Sequence, residues 1–122
     1  MAGVWTIFPH VSIASFNGGG RSIMLSQLLP GDKPEESVTN QFYLMEKEPN
    51  EEQAKEANKQ FDLLKYVVET EDYGTGLRLQ KSLKTGLIDH VMFGRNEGGG
   101  QVFHKWVDKI INTEDSKLPS LF

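Results

Sequence analysis

Apolar and polar positions change their period once along the chain. Between Val4 and Met45 apolar residues alternate with small polar ones and include β-branched and aromatic members, the pattern of half-buried strands. Pro9 divides the first run into Val4 to Phe8 and Val11 to Phe16. Asn17-Gly18-Gly19-Gly20 is a reversal signal, so Arg21 to Leu29 reads as the returning strand of a hairpin. Pro30 to Pro34 makes a loop, and Val38 to Met45 resumes strand composition. Three or four antiparallel strands are expected.

From Asn50 onward the period becomes helical. Asn50 is placed to cap a helix, Gln53 stands at the capping-box position, and Glu51 and Glu52 suit the first turn. Ala54, Ala57, Phe61, Leu64 and Val68 recur at three and four, which predicts one long helix from about Glu51 to Leu83, loosened at Gly74 and Gly76 and ended by Gly86. Ile88 to Gly94 reads as a short extended connection and Glu97 to Gly100 as a flexible turn. A last amphipathic helix, about 101 to 111, should bury Phe103, Trp106, Val107 and Ile110, with a frayed tail from Asn112. Strands first and helices second imply an α+β domain, an antiparallel sheet with a long helix across it.

Composition narrows the classes. The 122 residues suffice for one domain. Acidic residues outnumber basic ones 17 to 13, and no Lys/Arg stripe exists to neutralise phosphates, which argues against nucleic acid. No apolar stretch approaches the roughly 20 residues that span a bilayer, and the start lacks a secretory signal, so a cytoplasmic protein is expected. The absence of cysteine excludes disulfides, thiolate-bound zinc and a Rieske cluster on this chain. There is no G-x-G-x-x-G and no P-loop, and the glycine runs at Gly18 and Gly98 lack the context of a phosphate cradle.

Asp72 is the leading candidate for chemistry. At about 100° per residue it shares one face with Val68, Gly76, Leu79 and Leu83, and a buried unpaired carboxylate requires donors, a proton or a cation. Arg78 projects from the opposite side. Two readings stand: a metal ligand, or a cap for a second helical piece starting near Tyr73 and accepting from Gly74 or Thr75. His10, His90 and His104 are widely separated and form no short-spaced metal pair; His10 and His90 would complete a triad with Asp72 only if the fold brought them together, and His104 reads as structural. Arg95, Asn96 and Glu97 read equally as a charged site or as a loop that ties two helices through an Arg–carboxylate pair, and Glu46, Glu48, Glu51 and Glu52 read as a solvated cluster that favours a helix start rather than a cation site.

Three segments in order carry a family resemblance: Gly3 to Pro9 (GVWTIFP), Glu71-Asp72-Tyr73 followed by Gln80, and Phe93 to Glu97 (FGRNE) leading into Phe103 to Trp106 (FHKW). Together they resemble the C-terminal half of the catalytic domain of Rieske-type aromatic-ring-hydroxylating oxygenase large (alpha) subunits. The resemblance implies a helix-grip, START-like fold enclosing an apolar cavity, with Asp72 as the carboxylate of a two-histidine, one-carboxylate Fe(II) site and a small apolar or aromatic substrate. Ile13, Leu64 and Val68 are candidate pocket residues, equally consistent with plain core. The Rieske domain and the half carrying both histidine ligands are not in this sequence, so the resemblance implies a partial domain, inactive alone, partnered by the missing half or a cluster-bearing subunit. The alternative is a non-catalytic helix-grip remnant that binds a small apolar ligand or self-associates as a homo-oligomer through its unpaired sheet edge and open apolar face. A third possibility, a small regulatory or scaffold domain unrelated to oxygenases, would be favoured by an exposed Asp72.

Overall fold

The computed structural model describes residues 3–88 and 90–121. Four strands, β1 (Val4–Ile7), β2 (Val11–Phe16), β3 (Ser22–Pro30) and β4 (Ser37–Met45), form an antiparallel meander in the order β1-β2-β3-β4. A helix then runs without interruption as α1 (Glu51–Val67), a π-helical segment (Val68–Tyr73) and α2 (Gly74–Leu83). Beyond it lie α3 (Gly98–Ile111) and a 3-10 helix, Asp115–Leu121. The α+β class and the long helix across an antiparallel sheet are thus as the pattern predicts. The chain divides after residue 89 into two compact units.

Local chemistry fixes the start of the long helix. The Gln53 N–H donates to Asn50 Oδ1 at 2.9 Å and the Asn50 N–H donates to Gln53 Oε1 at 3.1 Å, completing the capping box. The β2–β3 turn then locates the helix on the sheet. Gly19 adopts φ +70°, and a Cβ there would stand 2.5 Å from the Gln53 carbonyl oxygen. Only glycine allows both that backbone conformation and so close an approach. Beside it Ala57 is buried, and further along Phe61 meets Tyr43 of β4 with ring centroids 5.9 Å apart. At the other end Gly86, also at φ +70°, follows the last turn and stops the helix.

Strand register decides which side of the sheet the helix covers. Tyr43 faces Phe61, Met24 lies opposite Tyr43, and Ala14 lies opposite Met24. The face toward the helix therefore carries Val4, Thr6, Ser12, Ala14, Phe16, Ser22, Met24, Ser26, Leu28, Thr39, Gln41, Tyr43 and Met45, because alternate residues share a face. Polar groups on it are paired: the Ser22 and Tyr43 hydroxyls are 2.7 Å apart, and Gln41 donates to Ser26 at 3.4 Å. The opposite face carries Trp5, Ile7, Val11, Ile13, Ile23, Leu25, Phe42 and Leu44 and is the more apolar of the two. Trp5 and Phe42 each remain 49% exposed on it.

This corrects the pocket assignment of Ile13. It pairs with Trp5 and Leu25, on the side away from the helix, and so cannot line a cavity with Leu64 and Val68. Apolar alternation along β2 points to the other face because the helix packs on the Ser12, Ala14 and Phe16 side of that strand, with Met24 and Tyr43 beside them.

The last unit departs from expectation at both ends. The three glycines expected to form a turn are the first turn of α3, and Gly100 is there because a Cβ would stand 2.7 Å from the Phe93 ring. The Glu97 carboxylate accepts from the Gly94 N–H rather than pairing with Arg95. The tail expected to fray contains the 3-10 helix, where the Lys117 N–H donates to the Glu114 carbonyl at 2.8 Å. The connection read as extended from Ile88 is irregular at its described residues; residue 89 lies outside them. No helix among the described residues is long and apolar enough to cross a membrane.

Candidate functional site

The π segment changes the phase of the long helix. Ala54, Ala57, Phe61, Leu64 and Val68 turn toward the sheet at ordinary α spacing, all buried or half-buried. Bonding from i to i+5 then places an extra residue in the turn, so the inward stripe resumes one position later than an unbroken α-helix would have it. Tyr73, Gly76, Leu77 and Gln80 border the sheet side, and Lys84 reaches Glu35 of the β3–β4 loop at 2.8 Å. Leu79 and Leu83, on the stripe predicted from 100° spacing, are 48% and 37% exposed instead.

Asp72 therefore does not lie in a buried core. It is exposed, on the shoulder of the helix at a groove of about 380 Å³ bounded by Leu28, Ser37 and Thr39 of the sheet and by Tyr73, Gly76, Leu77 and Gln80 of the helix. The physical reason is the phase shift: the extra residue rotates the positions that line the groove to Tyr73, Gly76, Leu77 and Gln80, with Asp72 at its rim. The capping alternative also fails. The helix continues through Tyr73 in αR geometry with no side-chain cap, and the Gly74 N–H donates to the carbonyls of Glu69 and Glu71. Among the described residues no hydrogen bond or ion pair engages the Asp72 carboxylate.

The second carboxylate of the groove is engaged. Glu35 hydrogen-bonds to Lys84, and that bond, with a backbone hydrogen bond and the lysine's charge, holds its carboxyl below the usual glutamate range. The remaining lining combines the hydroxyls of Ser37 and Thr39, the Gln80 amide and the apolar walls of Leu28 and Leu77. Such a groove suits a small, largely apolar body with room for one or two hydrogen bonds at its base.

Iron of the oxygenase type takes two imidazoles and a carboxylate with open positions. Among the described residues no group of three or more His, Asp or Glu is placed to hold a metal, so the donors of this chain do not by themselves fit that ion. His10 sits in the β1–β2 turn, where its carbonyl accepts from the Leu28 N–H at 2.8 Å. His104 packs its ring 5.1 Å from Phe93 and 5.9 Å from Phe103, the structural role its position on α3 suggested. No triad forms.

Sequence reasoning found Asp72, Tyr73, Gly76 and Gln80 but not Glu35, Ser37, Thr39 or Lys84. Glu35, Ser37 and Thr39 come to the groove from the β3–β4 loop and β4, Lys84 reaches Glu35 from the end of the helix, and nothing in their local sequence marks them. The π segment was equally invisible, since Val68–Tyr73 has no proline and no unusual spacing.

No curated protein and no solved structure gives a significant match to the chain. A family model described as the ring hydroxylating alpha subunit (catalytic domain) matches residues 1–113. That match spans the sheet, the long helix with its π segment and α3, and with it the chain belongs to the ring-hydroxylating alpha subunit catalytic-domain family.

Proposed function

We propose that this chain contributes the carboxylate of a mononuclear non-haem Fe(II) site in a cytoplasmic ring-hydroxylating oxygenase, and that Asp72 is that carboxylate. Its imidazole partners and electron supply come from polypeptide outside the described residues, either the other half of the catalytic domain or a cluster-bearing subunit. Alone, the chain does not hydroxylate. The substrate is a small apolar or aromatic compound, seated in the groove between the helix and the sheet, with Gly76 and Leu77 on its helix side and Leu64 and Val68 on the stretch of helix that leads to it.

One observation carries the reading. Asp72 is exposed, which alone would favour an unrelated scaffold domain, but the family match over residues 1–113 removes that reading, and Asp72 stands uncapped and unpaired among the described residues on a π segment that opens onto a groove. Helical π turns recur at functional sites, where they aim a side chain that regular α geometry would turn elsewhere.

A second reading, a non-catalytic helix-grip module that self-associates, is favoured by the uncovered sheet face with Trp5, Phe42 and Leu44. Iron analysis of the protein purified with its native partners separates the two. The oxygenase reading expects one iron per chain in that assembly, its loss in Asp72→Ala, and none on the chain expressed alone. An iron-free assembly built only of copies of this chain, or iron retained in Asp72→Ala, overturns it.

A further inference from the structure

The fold does not account for Gly76. It lies inside α2, where glycine is among the least favourable residues. Its φ is not positive, and a Cβ built on it would meet no heavy atom within 4 Å. Gly19 and Gly100 differ in kind, since a Cβ would collide with the Gln53 carbonyl in one case and the Phe93 ring in the other. Alanine would fit at Gly76 without strain and would strengthen the helix. A helix that forgoes this gain at a groove-lining position, one turn from Asp72, leaves open space where a side chain could stand.

We infer that Gly76 is a specificity-determining gap: it lets a flat apolar ring lie against the helix backbone beside Asp72, and it sets the size of ring admitted. This rests on the reading of the Asp72 groove as the substrate site. The ring would fill the space between the helix and the strand residues Ser37 and Thr39, whose hydroxyls remain available to a polar substituent. Added methylenes at residue 76 would occupy the volume the ring needs, and one methylene in a well-fitted apolar site changes affinity by about tenfold or more.

An NMR titration of the ¹⁵N-labelled chain with toluene and with naphthalene tests this, following the amides of Ser37, Thr39 and Gln80, together with the Tm of each variant. The wild type is expected to bind both probes at these amides. Gly76→Ala should melt higher, keep toluene binding and lose naphthalene affinity severalfold. Gly76→Leu should lose both by about tenfold or more. Unchanged naphthalene affinity in either folded variant overturns the gap and leaves the groove as the binding site. A wild type that binds neither probe at these amides overturns the gap and the substrate-site reading together. The iron ligand reading of Asp72 is decided separately by the iron content of the native assembly, which does not depend on residue 76.

Discussion

The two halves of the long helix are held differently. α1 is fixed by interactions close in sequence and by tight packing: a complete capping box, the Gly19 turn pressed on its first two turns, buried Ala57 and the Phe61–Tyr43 contact. α2 has no buried residue, borders an open groove and is joined to the β3–β4 loop by one exposed ion pair, Lys84–Glu35. A helix can thus be anchored firmly at one end and leave the other for ligand contact, with the π segment as the boundary. Regions with few buried contacts are the ones from which binding elements are drawn.

Substitutions at the α1 end should cost the most. Gly19→Val places a β-branched residue at positive φ with its Cβ against the Gln53 carbonyl, and should destabilise unit and helix docking by roughly 3 kcal/mol in a urea melt. A loss under about 1 kcal/mol would show that the turn does not anchor α1. Asn50→Ala removes the acceptor for the Gln53 N–H and should cost about 1 kcal/mol, with faster amide exchange confined to the first turn of α1. Exchange rising equally in α2 would mean that the halves unfold as one.

The smallest effect belongs to Glu35 and Lys84. Because the folded-state pKa of Glu35 lies below the ordinary 4.5, acid protonates this group first in the unfolded chain. The contribution of the pair is therefore complete above 4.5 and disappears as pH falls through the lowered folded value. Both side chains face solvent, so salt should shrink the effect. Glu35→Gln is expected to lower Tm slightly above pH 5, where the pair contributes in full, and to converge with the wild type in acid, so that its acid limb is slightly flatter. An identical acid limb in wild type and variant would show that α2 gains nothing from the loop.

The reading of Ile13 shows how a correct local pattern can mislead. Hydrophobic alternation normally turns the apolar set of a strand toward the core. Here the helix covers Ser12, Ala14, Ser22 and Ser26, and the apolar set of Ile13, Ile23, Leu25 and Phe42 faces the other way. On the helix side the groove at Asp72 takes Leu28, Ser37 and Thr39 from the sheet, an apolar wall beside two hydroxyls. On the opposite face Trp5 and Phe42 each remain 49% exposed.

Sequence alone determined the four strands, the long helix, the Asn50–Gln53 cap, the stop at Gly86 and the motif in which Asp72 sits, since each depends on residues within a few positions of one another. Which face of the sheet the helix chose, the one-residue phase shift that moved Asp72 from the predicted buried stripe to the groove shoulder, and the arrival of Glu35, Ser37 and Thr39 opposite it were decided only in three dimensions. A π turn keeps every residue helical while rotating all that follow, and strand parity leaves both faces of a sheet available until something packs on one. Neither leaves a mark in the order of the amino acids.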